Sequence, residues 1–370
     1  MASKIQLWLL LLSAVGLVGV KALRRLPLRC VATQARLRIP RLCQGAQQLS
    51  MVSKRCDDYA SNILSRPRRW GGMIVGPLLR YANSLAVGLI FGFILGVLNK
   101  FSVQRVKVLL DLVFHRARGR PLLTVSNHQS VLDDPGLWAV LLPYWRFRPE
   151  QMRWQICTED VFFGSKYLQP VIGAGNCMPL DRTGSLDQPL FQRFFEKLVG
   201  GAWCHIFPEG RVFQNWRFAP DKARLGPFKI GVGKLIAHCP PGKEPVVLPM
   251  YHTGMDGIVP EVVLSQRGIG LGPRGPKNNR PSRPRSAKPQ LGQNIRYFVG
   301  EPLDFTDKIR AFRDKHPGML DSWHCHTEAN IELYAEITGE IRERMLALEL
   351  EAWGPMSGGS RQATTTPEVF

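Results

Sequence analysis

The segment Asn127–Pro135 reads NHQSVLDDP, and two of its residues have the types and spacing to move a proton. A neutral imidazole at His128 can take a proton from an attacking hydroxyl. A carboxylate at Asp133 can fix the imidazole tautomer and stabilise the imidazolium that forms. Five positions do not place two side chains on one helical face. They do allow contact when the histidine sits in a turn and the aspartate on the first helical turn behind it. The pair alone is unspecific, since Asn127 and Ser130 suit a turn and a helix cap equally well.

Three further segments carry chemistry-bearing residues. In CHIFPEGR, Cys204–Arg211, a strand ends and Pro208, Glu209 and Gly210 turn the chain. Glycine lets backbone approach an anionic ligand, and turn N–H groups bind oxyanions. Glu209 can hold the polar part of a ligand or orient Arg211. In GNCMPLDR, Gly175–Arg182, an arginine stands at a strand end, where it can clamp phosphate in bidentate fashion; a surface pair with Asp181 is the plain alternative. In VVLPMYHTGMD, Val246–Asp256, a buried strand is broken by Pro249, and His252 reads as structural or pocket-lining. GxSxG, Walker A, HExxH and dinucleotide fingerprints are missing from the sequence. His324-Cys325-His326 lacks a second ligand group at zinc spacing, so no metal site is expected.

The elements that must position these residues alternate. Leu122–Val125 is a buried apolar run entering a turn, and Trp203–Phe207, Val246–Met250 and Ile295–Val299 read as strands, with another short one near Pro179. Val103–Phe114, Gln188–Val199, Phe228–Ala237 and Ile331–Leu350 read as helices. Leu190, Phe194, Phe195 and Leu198 share one side of the second. Tyr334, Ile337, Ile341, Met345 and Leu348 form the stripe of the last. Asp134 before Pro135 suits a helix cap. Strands alternating with helices imply an α/β domain with a mainly parallel, helix-covered sheet.

Composition narrows the partners. The formal net charge is +20 over 370 residues. Residues 1–110 hold +15 of it and the Pro/Gly/Arg-rich loop 265–292 holds +7, which leaves the rest at −2. A nearly neutral core argues against a nucleic-acid-binding fold. The eight cysteines form no CxxC pair and suit a reduced compartment or core packing. Before Asp57 the chain has no acidic residue but many arginines, which reads as an organellar import segment; the apolar run 5–20 makes a secretory signal or an anchor the competing reading. A second apolar run, Ser84–Leu98, is short for a membrane span and suits insertion into one leaflet. Its basic flanks, Arg80 on one side and Lys100, Arg105 and Lys107 on the other, favour an anionic membrane surface. The expected organisation is an extension over 1–70, an interfacial anchor over 71–100, a catalytic domain over 101–352 and a flexible tail over 353–370.

In this order, NHQSxxDDP, G-x(6)-R, FPEG and the V-x-L-P strand resemble the four blocks of the glycerolipid acyltransferases, across about residues 84–350. The resemblance implies a glycerol-3-phosphate acyltransferase-like α/β fold with an N-terminal apolar membrane-inserting segment. It also implies that His128 and Asp133 form the catalytic dyad. Arg182, Glu209 and Gly210, with Arg211 beside them, would bind glycerophosphate or the oxyanion. Finer details (LLTVSNHQS, HIFPEG followed at once by a basic residue, FKIGVGKLIA and LPMYHTGMDGIVPE) resemble a transacylase branch of that family. That likeness implies acyl transfer from a phospholipid such as phosphatidylcholine to monolysocardiolipin, giving cardiolipin, with no CoA, other cofactor or metal. It implies a mitochondrial membrane facing the intermembrane space, with the endoplasmic reticulum or a plastid as the alternative. Residues 1–70 and the loop 265–292 have no counterpart in the branch, and Arg182 in LDR follows the broader pattern. An acyl-CoA-dependent lysophospholipid acyltransferase is therefore the rival reading.

Overall fold

The computed structural model describes residues 69–70, 73–142, 151–158, 172–173, 175–180, 185–214, 223–260 and 290–354. The extension, most of the basic loop, the tail and Arg182 lie outside the described residues. After a two-stranded ribbon, β1 (Arg69–Trp70) with β2 (Met73–Ile74), the elements run α1 (Val75–Gly96), β3 (Lys100–Gln104), α2 (Val106–Phe114), β4 (Leu122–Ser126) and α3 (Asp133–Leu141). They continue with β5 (Trp154–Thr158), β6 (Cys177–Leu180), α4 (Pro189–Val199), β7 (Trp203–Ile206), α5 (Gly231–Ala237), β8 (Val246–Thr253) and α6 (Met255–Ile258). β9 (Asn294–Val299), α7 (Thr306–Lys315) and α8 (Glu328–Trp353) complete the order.

Seven strands form one sheet in the order β3-β9-β8-β4-β7-β5-β6. Every neighbouring pair is parallel except β8 with β9. The mainly parallel α/β architecture read from the sequence is therefore present, as a mixed sheet. All five residues of β4 and all eight of β8 are buried, as expected of strands covered on both faces. Leu122, Val246, Leu248 and Met250 face a core shared with α1, α2 and α3. Leu123, Val125, Val247 and Tyr251 face the other core, with α4, α5, α7 and α8. The α8 stripe Tyr334, Ile337, Ile341, Met345 and Leu348 is buried there as the sequence indicates. α4 buries Phe191 with Phe194 and Leu198, while Leu190 and Phe195 are only half-buried.

Several boundaries differ from the sequence reading, among them the start of α5 at Gly231 and the span of α8 from Glu328 to Trp353. Val103 does not begin a helix: it lies in β3, whose residues alternate between exposed and half-buried. Arg105 then takes a left-handed turn, φ 55°, and α2 starts at Val106. Pro249 does not break β8. It lies at the end of the β8–β9 ladder, where its carbonyl accepts the Gly300 N–H at 2.9 Å and its missing donor costs only a terminal bond.

α1 contains the second apolar run, and it packs on α3. Gly92 and Gly96 lie against Ala139 and Val140, and a Cβ on Gly136 would come within 2.5 Å of Leu95. Close approach of the two helices thus depends on small residues. The face beside that contact is apolar too, with Leu89, Phe93 and Val97 53%, 55% and 68% exposed. This explains a helix with so little polar surface: one side is core and the next meets solvent. Among the described residues no helix is long and apolar enough to cross a membrane.

Candidate active site

His128 follows the end of β4 by two residues, at the carboxyl edge of the sheet, where open α/β sheets bind ligands. Its Nδ1 lies 2.9 Å from Asp133 Oδ2. The same oxygen accepts the backbone N–H groups of Gln129 at 2.6 Å and Ser130 at 2.8 Å. The loop between the two residues therefore folds around the carboxylate, and the five-residue spacing becomes a contact. Asp133 is buried, whereas the His128 side chain keeps 20% of its surface. With Nδ1–H committed to Asp133, Nε2 is the basic nitrogen left to meet a substrate.

Neighbouring strands lock this loop. The Asn127 amide donates to the His252 carbonyl and accepts the His252 N–H, each at 2.9 Å. The His252 Nε2–H donates to the Asn127 carbonyl at 2.9 Å and stands 3.5 Å from Asp133 Oδ2. Burial lowers the His252 pKa, although Asp133 pulls it up. His252, near the end of β8, is thus a structural neighbour of the dyad. Phe213 N–H donates to the His128 carbonyl at 2.7 Å, and the Gln214 amide donates to the Gln129 carbonyl at 2.6 Å.

Glu209 joins two loops at the site. Its Oε2 accepts the His128 N–H at 3.0 Å and its Oε1 accepts the Gly226 N–H at 2.9 Å. The buried carboxylate ties the histidine loop to the loop before α5 and does not orient Arg211, whose guanidinium lies over the Phe213 ring at 5.7 Å. Burial pushes the Glu209 carboxyl up to about 8, against the two backbone donors that favour its ionised form. Gly210 has φ +64°, a left-handed turn that suits glycine, and its N–H donates to the Phe207 carbonyl at 3.0 Å. That N–H closes the turn.

The Asp134 side chain does not cap α3: its carboxylate is taken up by a buried ion pair with Arg153. Arg153 Nε donates to Oδ1 at 2.7 Å, Nη2 binds Oδ2, and the Trp138 indole N–H also binds Oδ1. The sequence reading missed Arg153. The doubled acid was the available signal, because a second carboxylate beside a dyad needs its own cation once buried.

The dyad rests on an aromatic stack. His128 and Phe207 are nearly parallel, with ring centroids 4.2 Å apart and planes 12° apart. Phe207 meets the His205 ring edge-on at 4.6 Å. His205 in turn bonds through Nδ1 with Thr124 Oγ1 at 2.8 Å and meets Trp138 edge-on.

Among the described residues no group of histidine, cysteine and acidic side chains could hold a metal ion. His324 and His326 instead face Asp187, which also pairs with Lys234. The five described cysteines are free thiols.

The site lies within the part of the chain that known proteins share. The acyltransferase family model matches residues 108–253, from α2 to the end of β8. N-acylphosphatidylethanolamine synthase from Arabidopsis thaliana is 32% identical over 250 residues, spanning 68% of this chain and 78% of the relative. Tafazzin from Drosophila melanogaster is 34% identical over 260 residues, spanning 70% of this chain and 60% of the relative. Tafazzin from Saccharomyces cerevisiae is 26% identical over 343 residues, spanning 81% of each.

Proposed function

The chain belongs to the acyltransferase family and is a phospholipid acyltransferase; we propose that it moves acyl chains directly from a phospholipid to a lysophospholipid, without CoA. The observation that carries this reading is the His128–Asp133 pair, buried at Asp133 and open at His128. The tafazzin relatives, with the transacylase-branch details in the sequence, favour monolysocardiolipin as acceptor and phosphatidylcholine as donor, so that cardiolipin is remodelled.

In this mechanism His128 Nε2 takes the proton from the free hydroxyl of the lysophospholipid. The oxygen attacks the ester carbonyl carbon of the donor lipid. The tetrahedral intermediate then collapses, breaking the donor's acyl C–O bond. The departing oxygen recovers the proton from His128, leaving a new ester and a new lysophospholipid. Asp133 stabilises the imidazolium between the two proton transfers. Arg182 and Arg211 are assigned to lipid phosphate, with the Glu209–Gly210 turn shaping the loop between His128 and Gly226.

Both substrates lie in a bilayer, and the exposed Leu89 and Phe93 of α1, with Val97 just after it, supply an apolar surface to enter one leaflet. The basic flanks and loop suit an anionic membrane. Import by residues 1–70 into mitochondria, on the intermembrane-space side, completes the proposal.

The Arabidopsis relative favours a second reading, in which the acceptor is the amine of phosphatidylethanolamine. One assay separates the readings. Purified full-length protein receives acyl-labelled phosphatidylcholine, monolysocardiolipin and phosphatidylethanolamine, with no CoA. Label in cardiolipin supports transacylation, and label in N-acylphosphatidylethanolamine supports the second reading. In a parallel reaction with labelled acyl-CoA in place of the labelled phosphatidylcholine, transfer seen only there overturns both.

A further inference from the structure

We propose that Phe207 is a positioning residue for the reaction, providing the aromatic face on which the His128 imidazolium is held. This rests on His128 acting as the general base. The imidazole is fixed at two places: Asp133 holds Nδ1 in the ring plane, and Phe207 covers one ring face at 4.2 Å with a 12° tilt. A hydrogen bond at one ring nitrogen leaves rotation about that bond open, and a stacked ring removes it. Nε2 then points along one direction.

The stack also suits the charged state. A cation over an aromatic face is attracted by the ring quadrupole, so the Phe207 face favours the imidazolium that exists only during turnover. Interactions stronger in the transition state than in the ground state raise kcat rather than lower KM.

Phe207 is itself held from behind. His205 meets it edge-on at 90°, and the His205 ring bonds with Thr124 Oγ1 at 2.8 Å and stands 3.4 Å from Ser126 Oγ. The Trp203 indole N–H donates to the same Thr124 oxygen at 3.0 Å. Burial, followed by the charge of Arg153, keeps the His205 pKa well below the ordinary histidine value. His205 therefore stays neutral and adds no positive charge behind the imidazolium.

Kinetics of Phe207→Leu, Phe207→Tyr and His128→Ala test the assignment, at saturating lysophospholipid. Phe207→Leu is expected to lower kcat about tenfold with KM within about twofold, and Phe207→Tyr to restore kcat. An unchanged kcat in Phe207→Leu, a loss confined to KM, or a Phe207→Tyr as slow as the leucine variant overturns the role. Activity surviving in His128→Ala overturns the general-base reading instead. The unsubstituted protein gives a second test by proton NMR. The His128 ring Cε1–H resonance should be displaced upfield by the Phe207 ring current, and an undisplaced resonance overturns the stack even where a variant fails to fold.

Discussion

Asn127 holds His252 by both of its main-chain groups: the amide nitrogen donates to the His252 carbonyl and the amide oxygen accepts its N–H, each at 2.9 Å. One side chain thereby does what a ladder pair does elsewhere, joining the end of β4 to the end of β8 just where His128 begins. Asn127→Ala would leave a buried N–H and a buried carbonyl without partners. Each such group costs about 1–3 kcal/mol. Urea unfolding is expected to show a loss in that range or above, and acyl transfer to fall at least tenfold as the His128 loop loosens.

Asp133→Asn tests the dyad with little change of shape. The amide oxygen can still accept the imidazole and the two backbone N–H donors, but it carries no charge to stabilise the imidazolium. The expected loss in kcat is about 10²–10⁴-fold, the scale seen when a histidine loses its orienting acid. Steady-state transfer rates check it, with circular dichroism confirming an intact fold.

Glu209 makes stability depend on pH in a defined direction. Burial raises its folded-state carboxyl from 4.5 to about 8. The folded protein therefore binds this proton more tightly than the unfolded chain does. The stabilisation is complete below about 4.5 and is lost as the pH rises toward about 8. Glu209→Gln should flatten the fall in Tm over that window. It should also lower activity at every pH, because its amide NH₂ would face the N–H of His128 or Gly226.

Asp134 and Arg153 are 6% and 4% exposed, so removing either leaves a buried charge. Asp134→Asn or Arg153→Met alone is expected to cost about 3–5 kcal/mol. The double change Asp134→Leu with Arg153→Met should recover most of that loss in a denaturant titration, since burial of the pair itself contributes little.

On the proposed membrane docking, Leu89→Ser, Phe93→Ser and Val97→Ser together should abolish sedimentation with vesicles containing cardiolipin. All three side chains are more than half exposed, so Tm should change little. Unchanged sedimentation would remove α1 from the docking surface.

The sheet was legible because buried parallel strands write themselves as unbroken apolar runs: Leu122–Ser126 and Val246–Thr253 have no exposed residue. The α8 stripe was legible from its helical period. The dyad became legible only with its companion segments, since the loop geometry that closes His128 onto Asp133 depends on the N–H groups of Gln129 and Ser130. Other features escaped for physical reasons. β5 and α7 are short and lack a strong period. Arg153 pairs with Asp134 across 19 positions, a distance that no local pattern records. Glu209 reads as a substrate contact from its turn, whereas its backbone partners, His128 and Gly226, are fixed only by the tertiary fold.

The contact of Gly92 and Gly96 on α1 with Ala139 and Val140 on α3 has a practical consequence. α3 begins at Asp133, so the helix carrying the apolar surface braces the one carrying the dyad acid. Shortening the chain to start after Leu98, a natural route to a more soluble protein, would uncover Gly136, Ala139 and Val140 along α3. Such a shortened chain should aggregate, whereas polar replacements at Leu89, Phe93 and Val97 keep the brace and remove only the greasy surface.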